Sequence, residues 1–426
     1  MDTNLDIRHA IMNLWKNTFH DSKEYISLVF NSYFEEGIYV YKEVDNRVVA
    51  SILGVPYEFA YNEIKLRGLY LCGISTEPEY RKKGIMTQLL HEIEEKSKDK
   101  YDFLFLIPSN ENNRLIYEDK GFYNAIYKIY EYYTSVHDFN AEFESILFQF
   151  NDKVKKLKKD LFESLEIIKL EEHDIELRDN IIEFILKFEK EKKSYLNLLH
   201  SRKDLEAVIE DNFLSRGNIF LSLNKNNEIT AVMFTTSSPD GRIKVYAQFC
   251  NDPCSYFKIL EKIKKIYLEM SLTVVRIPEE VHESSLWSET SIVPNPDGSS
   301  LESLIGIETR AYYSAENALP YGMIKVLNLE NIIKVIASLR KDISFKLILS
   351  GEKGETMKYI EVANGKCNLK DLTGNLSVFL NKHKDCSILS YPDFMDMIFR
   401  KKTKDDIIME AFGIPRLPVN ISLMLD

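Results

Sequence analysis

Between Glu77 and Leu90 the chain reads EPEYRKKGIMTQLL, and three cations, Arg81, Lys82 and Lys83, stand directly before Gly84 where a helix should begin. A helix start presents several unpaired backbone N–H groups and the positive end of the helix dipole. A glycine there lets an anion come close to the backbone, because it has no Cβ. Cations at this end oppose the dipole, so without an anion the arrangement is slightly destabilised. The chemistry it suits is the binding of phosphate or pyrophosphate. The alternative is a solvated, charged helix cap.

The elements that must position this turn are legible on either side. LYLCGIS before it is an apolar strand, and GIMTQLLHEIEEKSKDK after it places Ile85, Leu89, Leu90 and Ile93 on one helical face. Upstream, Ile11, Leu14, Trp15 and Phe19 recur at helical spacing, and Tyr25, Leu28, Val29 and Phe34 repeat the pattern after Asp21-Ser22. GIYVYKEVDNRVVASILGVPYEF reads as a hairpin turning at Asp45-Asn46. Downstream come a short buried strand YDFLFLIP, a short helix NENNRLIYEDKG stopped by Gly121, and a β-rich run FYNAIYKIYEYYTSV. The expected first unit is therefore a mixed α/β domain ending near residue 140.

From 141 to 215 the pattern turns helical. The basic run DKVKKLKKD is expected to be a solvated helix face over an apolar stripe of Val154, Leu157 and Leu161, not a nucleic-acid patch. GNIFLSLNKNNEITAVMFTTS then forms a second hairpin at Asn226-Asn227, and a strand, a helix and a strand follow it, repeating the order of the first unit. TSIVPNPDGSSLES reads as a loop. The last section opens with a strand and helix in YGMIKVLNLENIIKVIASL. It continues through strand-like SFKLILS, KYIEVANGKCNLKD and GNLSVFLN to a short helix YPDFMDMIFRKK. The tail, FGIPRLPVNISLMLD, ends on an apolar run, which is unusual for a solvated terminus.

Composition narrows the function classes. A chain of 426 residues exceeds one ordinary core, so two or three domains are expected. A hydrophobic fraction of 45% with 28% charged residues is that of a soluble globular protein. The net charge of −11 argues against nucleic-acid binding and favours a cationic partner. No signal peptide or apolar run long enough to span a membrane is visible, so a cytoplasmic protein is expected. Cys72, Cys250, Cys254, Cys367 and Cys386 are scattered, and no second Cys/His pair joins Cys250 and Cys254 at ligand spacing, so reduced thiols and no metal are expected. The sequons at Asn375 and Asn420 are then fortuitous. GEKGET at 351–356 lacks P-loop spacing, and His282-Glu283 has no partner.

The strand, the turn Arg81-Lys-Lys-Gly84-Ile-Met86 and the following helix together resemble the GCN5-related N-acetyltransferase family, with Met86 in place of the second small residue. The family's second landmark is similar to Asn113-Arg-Leu-Ile-Tyr117-Glu-Asp-Lys-Gly121-Phe122, with one extra residue before the tyrosine. The resemblance implies acetyl-CoA as co-substrate. It implies pantetheine contacts from the strand Cys72, Gly73, Ile74 and Ser75, and pyrophosphate contacts from Arg81, Lys82, Lys83, Gly84, Met86 and Thr87. It further implies cofactor contacts from Asn110 and Asn113, and Tyr117 as the general acid that protonates the departing thiolate. As a plain sequence feature, Tyr117 is equally a core aromatic. Glu58, Glu63 and His91 are undistinguished candidates for a base.

In length and order the chain is similar to the Eis-like bacterial subgroup. That likeness implies a catalytic unit over 1–140, a degenerate second acetyltransferase-like unit over 141–295, where DPCSYFK replaces the phosphate turn, and a module like sterol carrier protein 2 over 296–426. It implies a homo-oligomer, a small amine acceptor, and a C-terminal carboxylate, here on Asp426, entering the active site as base. The competing readings are an aminoacyl transferase with a paired-helix arm, and a non-catalytic acetyl-CoA sensor or lipid-binding protein.

Overall fold

The computed structural model describes residues 3–135, 143–144, 147, 152–192, 195–238, 241–250, 252–278, 318–339, 342–350, 357–372, 376–383, 386–400 and 415–424. Asp426, the loop 290–303, His282-Glu283, Asn375 and the 351–356 stretch lie outside the described residues.

The first unit follows its sequence pattern closely. Helices α1 (Thr3–Phe19) and α2 (Lys23–Tyr33) precede strands β1 (Ile38–Val44), β2 (Arg47–Tyr61) and β3 (Ile64–Thr76). Asp45 and Asn46 both take positive φ, 50° and 59°, the geometry that a two-residue hairpin turn demands. Then come α3 (Ile85–Ser97), β4 (Phe103–Leu106), α4 (Glu111–Glu118) and β5 (Tyr123–Tyr133). Both faces of this sheet are covered. Ile85, Leu89, Leu90 and Ile93 of α3 are buried against β1–β4 with Tyr117 and Phe122, while α1 and α2 pack Trp15, Phe30 and Tyr33 on the other side.

The second unit comprises α5 (Asp152–Ser164), β6 (Glu166–Lys169), α6 (Ile175–Glu191), β7 (Leu196–Leu199), α7 (Arg202–Leu214), β8 (Asn218–Leu223), β9 (Ile229–Ser237), β10 (Ile243–Cys250), α8 (Pro253–Ile266) and β11 (Leu272–Arg276). Its hairpin turns where expected, with Asn227 at φ 60°. Of the stripe expected on α5, Leu161 packs on the core together with Phe162, whereas Leu157 is 60% exposed and the Val154 side chain lies outside the described ones.

The last described section holds β12 (Leu319–Val326), α9 (Leu329–Leu339), β13 (Phe345–Ser350), β14 (Lys358–Ala363), β15 (Lys366–Asp371), α10 (Leu376–Lys382), β16 (Ser387–Ser390), α11 (Tyr391–Phe399) and β17 (Val419–Asn420). Two readings change here. KYIEVANGKCNLKD is a hairpin turning at Asn364-Gly365, and the run expected as a strand in GNLSVFLN is helix α10, where Leu376, Phe379 and Leu380 share a helical spacing.

Strands from distant parts of the chain close the first sheet. β12 inserts antiparallel between β4 and β5, although it lies far downstream of both in sequence. β7 pairs with β2, and β17 bridges β7 and β5 in parallel. The order β12-β4-β3-β2-β7-β17-β5 returns to β12, making a closed ring, and the far end of β5 continues through β11 into the second sheet. A boundary at residue 296 thus leaves β12 and β17 within the sheet of the first unit. β13–β16 form a separate four-stranded sheet.

Candidate active site

β3 and β4 pair in parallel only from Gly68↔Phe103 to Tyr70↔Phe105. Beyond Tyr70, β3 runs on to Thr76 while β4 stops at Leu106, so the two strands part and β3 loses its partner on that edge. The parting coincides with a bulge. Ser51 faces Ser75 and Leu53 faces Cys72, leaving Gly73 and Ile74 opposite the single residue Ile52. Gly73 sits at φ 57°, and a Cβ there would lie 2.3 Å from the Trp15 ring, so no other residue fits. The bulge sends neighbouring side chains to opposite faces: Cys72 packs with the α1/α2 side, and Ile74 joins Tyr80, Met86 and Tyr117 on the α3/α4 side. Ser75 is buried, its hydroxyl 3.2 Å from that of Ser51.

The turn that follows is built to leave amides free. A short 3-10 segment (Pro78–Tyr80) leads to Arg81, whose Nε donates to the Thr76 carbonyl at 3.0 Å and closes the loop. Lys82 and Gly84 both adopt positive φ, 60° and 77°, which tilts successive N–H groups toward one side. Gly84 caps α3 with no side-chain hydrogen bond, and the first turn of α3 holds no acidic residue. Gln88 makes the first intrahelical bond, to the Gly84 carbonyl, so the Ile85, Met86 and Thr87 amides have no helical partner. A Cβ on Gly84 would meet no atom within 4 Å. Arg81, Lys82, Lys83 and Gly84 are all exposed, with the Lys83 ammonium 5.0 Å from the Tyr80 ring. This donor set, cationic and open, fits a pyrophosphate.

The second unit contains the counter-example. Where α8 follows β10, Asp252 caps the helix: its carboxylate accepts from the Ser255 amide at 2.9 Å and from the Ser255 hydroxyl at 2.6 Å. An acid already fills the positive end of that helix, and Pro253 removes one amide.

Tyr117 lies on α4 within the apolar cluster, 5.9 Å from the Phe122 ring. Burial pushes its phenol up to about 12, so it holds its proton throughout the neutral range. Asn110 caps α4 by accepting from the Asn113 amide at 2.9 Å, and Asn113 donates to the Ser109 hydroxyl at 2.8 Å. Both asparagines therefore hold the loop after β4. Arg114, buried in the same motif, donates to the Pro320 carbonyl at 3.0 Å and ties α4 to β12. Glu58, Glu63 and His91 are exposed, with Glu58 paired to Lys65 at 3.1 Å.

Sequence reasoning missed the polar groups that seat the tail. Lys128 donates to the Ile421 carbonyl at 2.7 Å and to Asn420 Oδ1 at 3.2 Å, and Asn420 donates to Asn197 at 3.0 Å. His200 lies 2.7 Å from the Leu423 carbonyl and 2.6 Å from Glu189. These contacts span up to 293 residues, so no local spacing announces them. The apolar tail is buried as far as Met424, and Asn420, one of the two sequons, is 3% exposed. A cleft of about 220 Å³ runs along the tail on the second unit's side, lined by Lys128, Asp211, Lys244, Tyr246, Tyr321 and Met424 among others. Among the described residues, no sequence-predicted site residue lines it. Among the described residues, no group of three or more His, Cys, Asp or Glu could hold a metal ion, and no helix is long and apolar enough to cross a membrane.

Residues 3–125 match the family model described as an acetyltransferase (GNAT) domain. No curated protein matches the chain. Among solved structures, the chain is similar to a conserved protein of unknown function from Enterococcus faecalis V583, described as a probable N-acyltransferase. The TM-score is 0.67 and the identity 10%, over 98% of this chain and 97% of that one. A GCN5-related N-acetyltransferase from Anabaena variabilis gives a TM-score of 0.61 at 11% identity, over 100% and 98% of the two chains. Eis1 from Mycobacterium abscessus gives 0.55 at 8%, over 98% of each. At such identities the likeness is one of fold. The chain thus carries a GNAT acetyltransferase domain over residues 3–125, set in a mixed α/β fold that it shares along nearly its whole length with these structures.

Proposed function

We propose that the chain is an acetyl-CoA-dependent N-acetyltransferase that acts on a primary amine of a cationic small molecule or lysine-like acceptor. The observation that carries this reading is the uncapped, acid-free start of α3 at Gly84, set directly after a bulged strand that parts from its neighbour. The amides of Ile85, Met86 and Thr87, with Arg81, Lys82 and Lys83, would hold the pyrophosphate. The freed edge of β3, Cys72 to Ser75, would pair with the pantetheine arm, and Asn110 and Asn113 would shape the loop beside it. Bound acetyl-CoA supplies a thioester, activated for attack by an amine.

Tyr117 keeps its proton and would offer it toward the sulfur as charge develops there. An incoming amine must be neutral, so a base is required, and Asp426 is the proposed one. The direction of the tail supports this role. β17 runs parallel to β5 and β7, and through β12 and β4 the strand pairings give it the same direction as β3. The chain therefore leaves the ring at the end where β3 and β4 part. The net charge of −11 favours a cationic acceptor.

We assign units of 1–140 for catalysis, 141–295 for a second acetyltransferase-like unit without cofactor, and 296–426 for a module like sterol carrier protein 2 that also lends β12 and β17 to the first sheet. Asp252 at the start of α8 supports the absence of cofactor from the second unit. An aminoacyl transferase would need a projecting helical arm. Among the described residues, α5 packs on α8 and α6 on β7 and β9, so neither is an arm standing apart. The test is thiol release from acetyl-CoA across a panel of amines, repeated with Tyr117→Phe and with Asp426 deleted. Undiminished turnover in both variants removes the mechanism. Acetyl-CoA binding without thiol release from any amine favours a sensor.

A further inference from the structure

Gly73 has no side chain with which to anchor itself, and it stands in a bulge where β3 has already parted from β4. The Trp15 ring takes the place of that side chain. A Cβ on Gly73 would lie 2.3, 2.6 and 3.0 Å from Cζ3, Cε3 and Cη2 of Trp15, the benzenoid edge of the indole. At the opposite edge, Nε1 donates to Asp21 Oδ2 at 2.7 Å. The indole therefore reaches from the link between α1 and α2 to the backbone of β3. Phe19 and Phe30 clasp it edge to face, each ring centroid 5.6 Å away. Trp15 is 5% exposed.

Burial alone does not call for this pairing. A regular strand carrying an alanine or valine, beneath a smaller residue of α1, would remove comparable apolar area from water. Exchanges that conserve core volume cost little stability. A glycine facing a tryptophan does something else: it brings a rigid ring against the backbone itself. On the other face of the strand Ile74 packs with Tyr80, Met86 and Tyr117, so the bulge is gripped from both sides. The gripped backbone is the stretch on which a pantetheine arm would pair.

We propose that Trp15 is a positioning residue: braced by Asp21, its ring holds the bulge at Gly73 and so fixes the edge of β3, Cys72 to Ser75, that would receive the pantetheine arm. The inference rests on the reading that this edge and the turn at Gly84 bind CoA.

The test is calorimetric titration with two ligands: CoA, and the nucleotide fragment of CoA that keeps the pyrophosphate but lacks the pantetheine arm. The parent, Trp15→Leu, Asp21→Ala and Asp21→Asn are compared. The net worth of one or two backbone hydrogen bonds is about tenfold in affinity, so Trp15→Leu should weaken CoA by that order. Trp15 and the start of α3 lie on opposite faces of the sheet, so binding of the fragment should not change. Asp21→Ala should weaken CoA in the same direction by less, because the ring stays but loses its brace. An asparagine still accepts from the indole N–H, so Asp21→Asn should recover most of that loss. If Trp15→Leu does not fold, the two Asp21 variants decide. CoA bound as tightly by the variants as by the parent, both ligands weakened alike, or asparagine no better than alanine would overturn the positioning role and leave the CoA site standing. A parent that binds neither ligand would overturn the CoA reading and the positioning role together.

Discussion

Replacing Gly84 separates a pyrophosphate seat from a charged helix cap. Gly84 stands at φ 77° with open space where a Cβ would project. Gly84→Ala therefore adds only the strain of a left-handed residue, about 1 kcal/mol, and lowers the melting temperature by a few degrees at most. Gly84→Asp carries similar strain, but a carboxylate near a helix N-terminus returns roughly 0.3–1 kcal/mol, so the melting temperature should match that of the parent or of the alanine variant. Ligand binding responds in the opposite direction. A carboxylate ~5 Å from one phosphate charge, at an effective dielectric of about 20, is repelled by roughly 3 kcal/mol. Gly84 is exposed, so salt and solvent reduce this to about 1.5 kcal/mol, which is still roughly tenfold in affinity. The aspartate would give the first unit the acid that Asp252 already places at the start of α8. Calorimetric titration with CoA, paired with thermal unfolding of the free protein, reads both quantities. CoA binding by Gly84→Asp as tight as by the parent, at equal stability, would refute the assignment of this turn.

Further outcomes follow from groups already placed. Tyr117→Phe should lower kcat by about 10²-fold or more at unchanged KM for acetyl-CoA and unchanged stability, measured by thiol release and thermal unfolding. Glu131, 3% exposed, is raised by burial, an effect that Arg276 at 2.9 Å opposes. Arg276→Met should cost about 3–5 kcal/mol in urea unfolding, whereas Glu131→Gln should cost far less, because it removes the charge that needs a partner. A carboxyl with a raised pKa favours folding below its unfolded pKa, so the Arg276→Met deficit should shrink as the solution is acidified. For His200, burial lowers the pKa, but Glu189 and the Leu423 carbonyl outweigh it and hold the imidazole above its usual 6.5. The stability from this pair is then fully present below about pH 6.5 and lost as pH rises through the folded value, so the urea midpoint should fall as the solution is made alkaline from there and His200→Gln should flatten the fall.

What the sequence made legible was local. The turn residues Asp45-Asn46 and Asn226-Asn227 announce their hairpins, because few side chains accept positive φ. The cations before Gly84 mark the start of α3, since they run against the dipole. Partners across the chain are another matter. β7, β12 and β17 each carry an ordinary apolar pattern, and nothing in their periodicity says that they complete a sheet begun far upstream. GNLSVFLN shows the limit within one element, because a short apolar run suits either period until its neighbours are known. The seat of the tail was invisible for the same reason: Lys128, Glu189 and His200 become a set only once β5, β7 and β17 lie side by side.

Whether the first unit moves an acetyl group decides between an enzyme and a binding protein. Mass spectrometry and thiol titration on one reaction mixture, containing the parent chain, acetyl-CoA and the panel of amines, measure this directly. Free CoA thiol and N-acetylated amine should form in equal amounts, with both rates cut in the Tyr117→Phe variant. Tight binding of acetyl-CoA with neither product formed from any amine would contradict acetyl transfer by this chain.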